Sequence, residues 1–369
     1  MTIPLPRPDR LVLILGIQRS GSTWLANIFD HREDTLLFME PFAPYAQIFP
    51  EAPPTNVFLT EGTRHVADLF GSPLIERLGR IKTLFTSRAA TDPGWFRWER
   101  RSWHLLTRFN QWLPARVALH LHRRLLRYHL VNLNRFDPTY PLYRKHRAPR
   151  VWVIKDLRLA GWTPVLRNVL PGTPKIVIIR HPMANVHSIL TWLERGRLGE
   201  LNADLSDFLD VLSAQSAGES YRALIDRCRT GSLAHRVALY WRVHNEALIR
   251  GLDGCPDFQL VVHEQLASAP LATVRRIFNE LGLPASPDAE TYVSFSSESH
   301  HAITVASPTD TNRNSAEEYR GWQTRIAPDV EDAVAAIVED SFLLPLFEPY
   351  YRGCARPRNR QWRTSRDGS

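Results

Sequence analysis

The chain has 369 residues, 44% hydrophobic and 23% charged, which supplies a large core and excludes a disordered or fibrous protein. Its three cysteines (Cys228, Cys255, Cys354) lie far apart with no CxxC spacing, which argues against a disulfide framework or a zinc site. The net charge of +8 is local: Arg97 to Arg150 holds 13 Lys and Arg against Glu99 and Asp137, the last 18 residues add six arginines, and the rest is net acidic.

In chain order, Met1 to Arg10 has no signal-peptide character. Leu11 to Leu15 then reads as a strand buried on both faces. Gly16 to Gly21 is a short turn carrying Gln18, Arg19 and Ser20, and Trp24, Leu25, Ile28 and Phe29 keep helical spacing after it. Strand, glycine-bounded loop and helix make an anion cradle of backbone N–H groups at the positive end of a helix dipole. The spacing nearly meets GxxxxGK[ST], but Ser22 stands at the lysine position, which argues against ordinary ATP or GTP hydrolysis. The charge is supplied instead by Arg19, with hydroxyls from Ser20, Ser22 and Thr23.

Leu36 to Met39 is a second short strand with Glu40-Pro41 at its end. Ligands of parallel α/β sheets sit at the carboxyl ends of strands, so Glu40 either faces the same crevice as Arg19 or is a surface carboxylate before a turn. Residues 55–148 read as a largely helical insertion. Within it the basic, aromatic stretch 95–150 is a lid, a membrane-surface contact or a solvated face of a helical hairpin. No recognised nucleic-acid module accompanies the charge.

Val151 to Ile154 and Lys175 to Ile179 are two further buried strands. The first ends in Lys155-Asp156 and the second in Arg180-His181-Pro182. Lys155 either serves chemistry at a bridging oxygen or pairs with a carboxylate. A helix over 184–193 carries Ser188, eight residues after Arg180, and the two together suit a second phosphate. No segment reaches the roughly 20 apolar residues that span a bilayer. The expectation is one α/β domain over 1–369, a central parallel sheet flanked by helices, with an Arg-rich, disordered tail at 352–369. The expected location is cytoplasmic, with peripheral contact at the inner membrane surface left open.

The chain resembles the sulfotransferases that use 3′-phosphoadenosine 5′-phosphosulfate (PAPS). Their 5′-phosphosulfate loop is similar to Gln18-Arg19-Ser20-Gly21-Ser22-Thr23-Trp24-Leu25, with Gln18 replacing the usual proline. Their R-[DNH]-P-x5-S motif is similar to Arg180-His181-Pro182 with Ser188. An apolar strand followed by E-x-L, a proline and a helix resembles Leu260 to Leu266, Pro270 and Glu280 to Leu283. A polar segment ending at a tryptophan resembles Asn312 to Gln323 around Trp322, without the lysine that usually follows.

The resemblance implies a P-loop-kinase-like sulfotransferase fold, PAPS as co-substrate and no metal. It implies that Arg19, Ser20, Gly21, Ser22 and Thr23 hold the 5′-phosphosulfate and that Trp24 stacks on adenine. Arg180 and Ser188 would hold the 3′-phosphate with Arg313 or Ser315, and Trp241 would lie near the nucleotide. Leu157 stands where the steroid and phenol enzymes carry a histidine base. Phe38-Met39-Glu40-Pro41 instead resembles the carbohydrate and bacterial branch, which implies Glu40 as general base, with Arg19 and Lys155 meeting charge on the leaving oxygen. The acceptor expected is a hydroxyl of a carbohydrate, glycolipid or lipid-like molecule. The competing readings are a P-loop kinase using Asp156 for magnesium, and a non-catalytic polyanion- or membrane-surface-binding protein.

Overall fold

The computed structural model describes residues 11–42, 151–196, 199–298 and 319–351, together with positions 49, 52, 56, 58, 68–70, 74 and 78. Most of the 55–148 insertion, the whole of 95–150, Arg313, Ser315 and the 352–369 tail lie outside them.

The described residues form a five-stranded sheet: β1 (Leu11–Leu15), β2 (Thr35–Met39), β3 (Val151–Asp156), β4 (Lys175–Ile179) and β5 (Phe258–Val262). All neighbours are parallel, in the order β2-β3-β1-β4-β5. Register brings the carboxyl ends to one edge: Leu15 lies opposite Asp156 and Val177, Met39 opposite Lys155, and Ile179 opposite Val262. The chain leaving β1 turns toward β2, whereas the chain leaving β4 turns toward β5. The crevice between adjacent β1 and β4 is therefore the topological switch point, where open α/β sheets take ligands.

The continuous apolar strands are explained by cover on both faces. Leu11, Leu13 and Leu15 enter a core with Trp162, Phe208, Val237 and Trp241. Val12 and Ile14 point the other way, into a core with Leu25, Ile28, Phe29, Val274 and Phe278.

The helices that supply this cover are α1 (Ser22–Asp30), α2 (Thr163–Val169), α3 (Pro182–Glu194), α4 (Gly199–Ser213), α5 (Arg222–Thr230) and α6 (Leu233–Leu252), then α7 (His263–Ser268), α8 (Pro270–Glu280), α9 (Pro287–Glu298), α10 (Pro328–Val338) and α11 (Glu348–Tyr351). Proline opens α3, α8, α9 and α10, where a missing N–H costs no helical bond and its fixed φ suits the first turn. The 20-residue α6 starts at Ser232 with a capping box completed by His235.

Its centre carries Glu246, fully buried. That carboxylate accepts from Tyr221 Oη at 2.8 Å, Arg242 Nε at 3.0 Å and Ser341 Oγ at 2.8 Å, and from Arg250 at 3.0 Å. Four donors satisfy a charge that would otherwise be costly, and they tie α6 to the segment after α10. No described helix is long and apolar enough to cross a membrane.

Candidate active site

The loop after β1 is shaped by positions that reject side chains. A Cβ on Gly16 would lie 2.7 Å from Ser20 Oγ and 2.9 Å from the Ile178 carbonyl oxygen. Gly21 caps α1 at φ 93°, and a Cβ there would overlap the His263 ring. Between them Arg19 takes a left-handed φ of 65°. Gln18, at the family's proline position, fastens the loop twice. Its carbonyl accepts from Asn185 Nδ2 at 3.0 Å, and its Oε1 accepts from Tyr240 Oη at 3.0 Å.

The loop is built to receive an anion. Neither α1 nor α3 has an acid in its first turn or a side-chain bond capping its N-terminus. The Ser20 hydroxyl is fully buried with no hydrogen-bond partner among the described residues. A buried hydroxyl left this way is costly unless a ligand completes it.

Arg180, at the β4 exit, donates to the Arg19 carbonyl at 3.4 Å. Arg19 donates through Nε to Ser188 Oγ on α3 at 3.0 Å, and its guanidinium lies 5.2 Å over the Trp192 ring. The loop arginine and the two-part motif of β4 and α3 are thus in direct hydrogen-bonding contact.

Burial, and after it the neighbouring arginines, keep three histidines of this region neutral. His181 is pushed down to about 3, first by burial and then by Arg180. Burial, then Arg180 and Arg19, hold His263 well below its ordinary value. Burial, Arg325 and Arg180 lower His187. All three stay neutral at pH 7, so the net positive charge belongs to the arginines and attracts an anionic ligand. The His181 backbone N–H donates to Glu264 at 3.1 Å, and its ring stacks on Trp322 at 5.0 Å. The glutamate of the E-x-L segment therefore ties the exit of β5 to that of β4.

The neighbouring strand ends hold the second half of the site. Glu40 adopts φ 47°, and its N–H donates to the Lys155 carbonyl at 2.6 Å. Its carboxylate pairs with Lys155 Nζ. Lys155 is buried, whereas the Glu40 side chain keeps 23% exposure. Asp156 is buried behind them. Its two oxygens accept from the Phe42 N–H at 3.0 Å and the Arg158 N–H at 2.8 Å. Burial first, then the Glu40 charge, raise it to about 6.

Both tryptophans named for the nucleotide are buried. Trp24 is 5% exposed, lies in the core beneath α1 and donates to Ser296 Oγ at 2.9 Å, so its ring serves packing between α1 and α9. Trp241 is fully buried and donates Nε1–H to the Arg180 carbonyl at 2.9 Å. It meets the site through Arg180, because its ring has no surface left for a nucleotide. Ser22 is buried and Thr23 is partly exposed at the start of α1. His263 is a site residue that the spacing arguments did not single out. The signal available was its place after β5, the same strand-end position that marks Glu40 and Arg180.

A parallel sheet with a glycine-bounded loop and two arginines at its switch point defines an α/β enzyme class that handles anionic groups. The family can be stated more closely: a model described as the Sulfotransferase family matches residues 12–287, and the chain belongs to that family. Comparison with curated protein sequences finds no match. Among solved structures, the sulfotransferase domain from the curacin biosynthetic pathway is 13% identical with a TM-score of 0.39, covering 88% of this chain and 96% of that one. The sulfotransferase domain of the Synechococcus PCC 7002 olefin synthase is 14% identical (TM-score 0.38; 90% and 94% covered). Mouse sulfotransferase SULT7A1, solved with PAP, is 11% identical (TM-score 0.35; 95% and 87% covered). Enzymes of this family take their sulfuryl group from PAPS.

Proposed function

We propose that the protein transfers a sulfuryl group from PAPS to a hydroxyl of a carbohydrate, glycolipid or lipid-like acceptor. The observation that carries this reading is the direct hydrogen-bonding contact among Arg19, Ser188 and Arg180, with the Glu40–Lys155 pair at the strand ends of β2 and β3. Two anion-holding features in one crevice suit a nucleotide charged at both ends. Ser20 to Thr23 and Arg19 receive the 5′-phosphosulfate, and the unpartnered Ser20 hydroxyl supports that role. Arg180 and Ser188 receive the 3′-phosphate.

Chemistry follows from the charges at the other end. Glu40 pairs with the Lys155 ammonium, and a carboxylate is the form in which a general base accepts a proton. As the acceptor oxygen bonds to sulfur, its proton passes to Glu40. The bond from sulfur to the bridging oxygen breaks, and that oxygen leaves with the 5′-phosphate. Once Glu40 is neutral, its hold on Lys155 weakens, and the ammonium is left to meet charge on the departing oxygen together with Arg19. The basic, aromatic composition of 95–150 supports an acceptor with a sugar or lipid-like surface and a peripheral membrane contact.

The test is calorimetry of adenosine 3′,5′-bisphosphate against AMP, followed by a labelled-sulfate assay of Glu40→Gln. The expected result is a preference of at least tenfold for the bisphosphate, and turnover reduced 10²- to 10⁴-fold with bisphosphate affinity kept. Equal affinity for the two nucleotides, or near-normal turnover of the variant, removes the corresponding half of the reading.

A further inference from the structure

Asp156 touches neither of the anion-holding arginines; it lies behind the Glu40–Lys155 pair. It ends β3 with its side chain 1% exposed. A buried carboxylate is costly, and here burial and the Glu40 charge raise it to about 6, so at neutral pH it is ionised against the preference of its surroundings. An asparagine would fill the same space without that charge.

The acquired contacts show what the charge does. Glu40 is held in a left-handed conformation, φ 47°, which is strained for a β-carbon-bearing residue and persists only where its surroundings over-determine it. On one side the Glu40 N–H is pinned to the Lys155 carbonyl. Two residues on, the Phe42 N–H is pinned to Asp156 Oδ2 at 3.0 Å. The Phe42 ring is wedged against Phe49 at 4.6 Å, Phe70 at 5.2 Å and Trp162 at 5.6 Å, so the turn is anchored at its far end as well. The second oxygen, Oδ1, holds the Arg158 N–H at 2.8 Å, which fixes the carboxylate plane. The charged side chains facing Asp156 are Glu40 from the end of β2 and Lys155 from β3 itself; Arg158 reaches it through its backbone.

We propose that Asp156 is a positioning residue: its ionised carboxylate clamps the Pro41–Phe42 turn and thereby keeps Glu40 in the conformation from which it faces the acceptor. This rests on the sulfotransfer reading with Glu40 as base. A charged acceptor binds backbone N–H groups about twice as strongly as a neutral one, so protonation of Asp156 loosens the clamp. The acid side of the kcat profile then falls near pH 6.

Two measurements decide it. In protein labelled with ¹⁵N-phenylalanine, with Phe42→Leu assigning the resonance, the Phe42 amide shift follows a titration near pH 6. A flat Phe42 amide between pH 5 and 8 overturns the clamp, and needs no variant of Asp156 to fold. In Asp156→Asn, kcat at pH 7.5 falls at least tenfold and its fall near pH 6 disappears, while affinity for adenosine 3′,5′-bisphosphate stays within twofold. A kcat within twofold of the parent, with the acid side unmoved, overturns the proposal. Failure of the base assignment is read separately, because a near-normal Glu40→Gln enzyme leaves the Phe42 titration in place.

Discussion

The Nε–H of Arg19 points at the hydroxyl of Ser188, 169 residues further along the chain, at 3.0 Å. This bond joins the loop after β1 to the helix after β4 across the switch point, beside the one from Asn185 to the Gln18 carbonyl. A serine hydroxyl has two lone pairs and one proton, so Ser188 accepts from Arg19 and still has its own proton to give to an anion. Arg180 closes the arrangement from the other side by donating to the Arg19 carbonyl.

The pair predicts different effects for its members. Arg180→Ala weakens binding of adenosine 3′,5′-bisphosphate by about 10- to 100-fold, the loss of a charged hydrogen-bonding partner. Ser188→Ala weakens it less, by about 3- to 10-fold, since a hydroxyl is lost and no charge. Isothermal calorimetry checks the order, and an affinity equal to the parent in Arg180→Ala removes that arginine from the site.

Gly21→Ala is expected to be severe for two reasons that can be separated. The φ of 93° is strained for alanine, and the added methyl overlaps the His263 ring. Urea unfolding shows a loss of about 2 kcal/mol or more. The double variant Gly21→Ala, His263→Ala recovers the part due to overlap and leaves the part due to φ. Simple additivity of the two changes contradicts the overlap.

Acid pH acts on stability in two opposite directions. His181 and His263 have folded values lowered below the ordinary 6.5, so below that pH the unfolded chain takes protons the fold refuses. Their contribution is full above about pH 6.5 and is lost as pH falls below it, down to about 3 for His181. Asp156, raised to about 6, does the reverse: between about 6 and 4 the fold holds a proton that the unfolded chain releases, which offsets part of the loss. Urea midpoints from pH 8 to 4 fall for the parent and fall more steeply for Asp156→Asn, where the offset is gone. Parallel slopes show that Asp156 does not titrate in the fold.

Glu246 offers a test away from the chemistry. Glu246→Ala leaves buried Arg242 with only Asp340 and backbone partners. The expected loss is about 3–5 kcal/mol, as when one member of a buried ion pair is removed. Tyr221→Phe deletes one of the four donors and costs about 1 kcal/mol. Chemical denaturation measures both, and a mild Glu246→Ala phenotype shows that the network is dispensable.

Position along the chain explains what could be read without coordinates. Arg19, Glu40, Lys155 and Arg180 each follow or end an apolar run, and parallel strands deliver such residues to one edge whatever the rest of the fold does. The same logic reached four of the five strands, with β3 extending to include Lys155 and Asp156 in its final two positions; the fifth, Phe258–Val262, was reached only through the family resemblance. Side-chain partnership was less legible. Lys155 had two readings, a chemical role and a carboxylate partner; the structure adds that its partner is Glu40. Nothing in the spacing told a core tryptophan from a ligand-stacking one, because helix faces are assigned by apolarity and tryptophan satisfies both readings. Asp156 attracted notice as a magnesium ligand, whereas its oxygens are engaged by the Phe42 and Arg158 N–H groups. Backbone amides of a distant turn leave no mark in composition or periodicity.

Arg19 and Glu40 are the two non-glycine residues with positive φ among the described residues. Glycine at either position would ease the backbone, but it would also remove the Arg19–Ser188 bond or leave buried Lys155 without Glu40. On the proposed mechanism these positions also carry the chemistry, so relief of the backbone there would come with loss of activity. Any programme that hardens this protein has to screen for product as well as for survival.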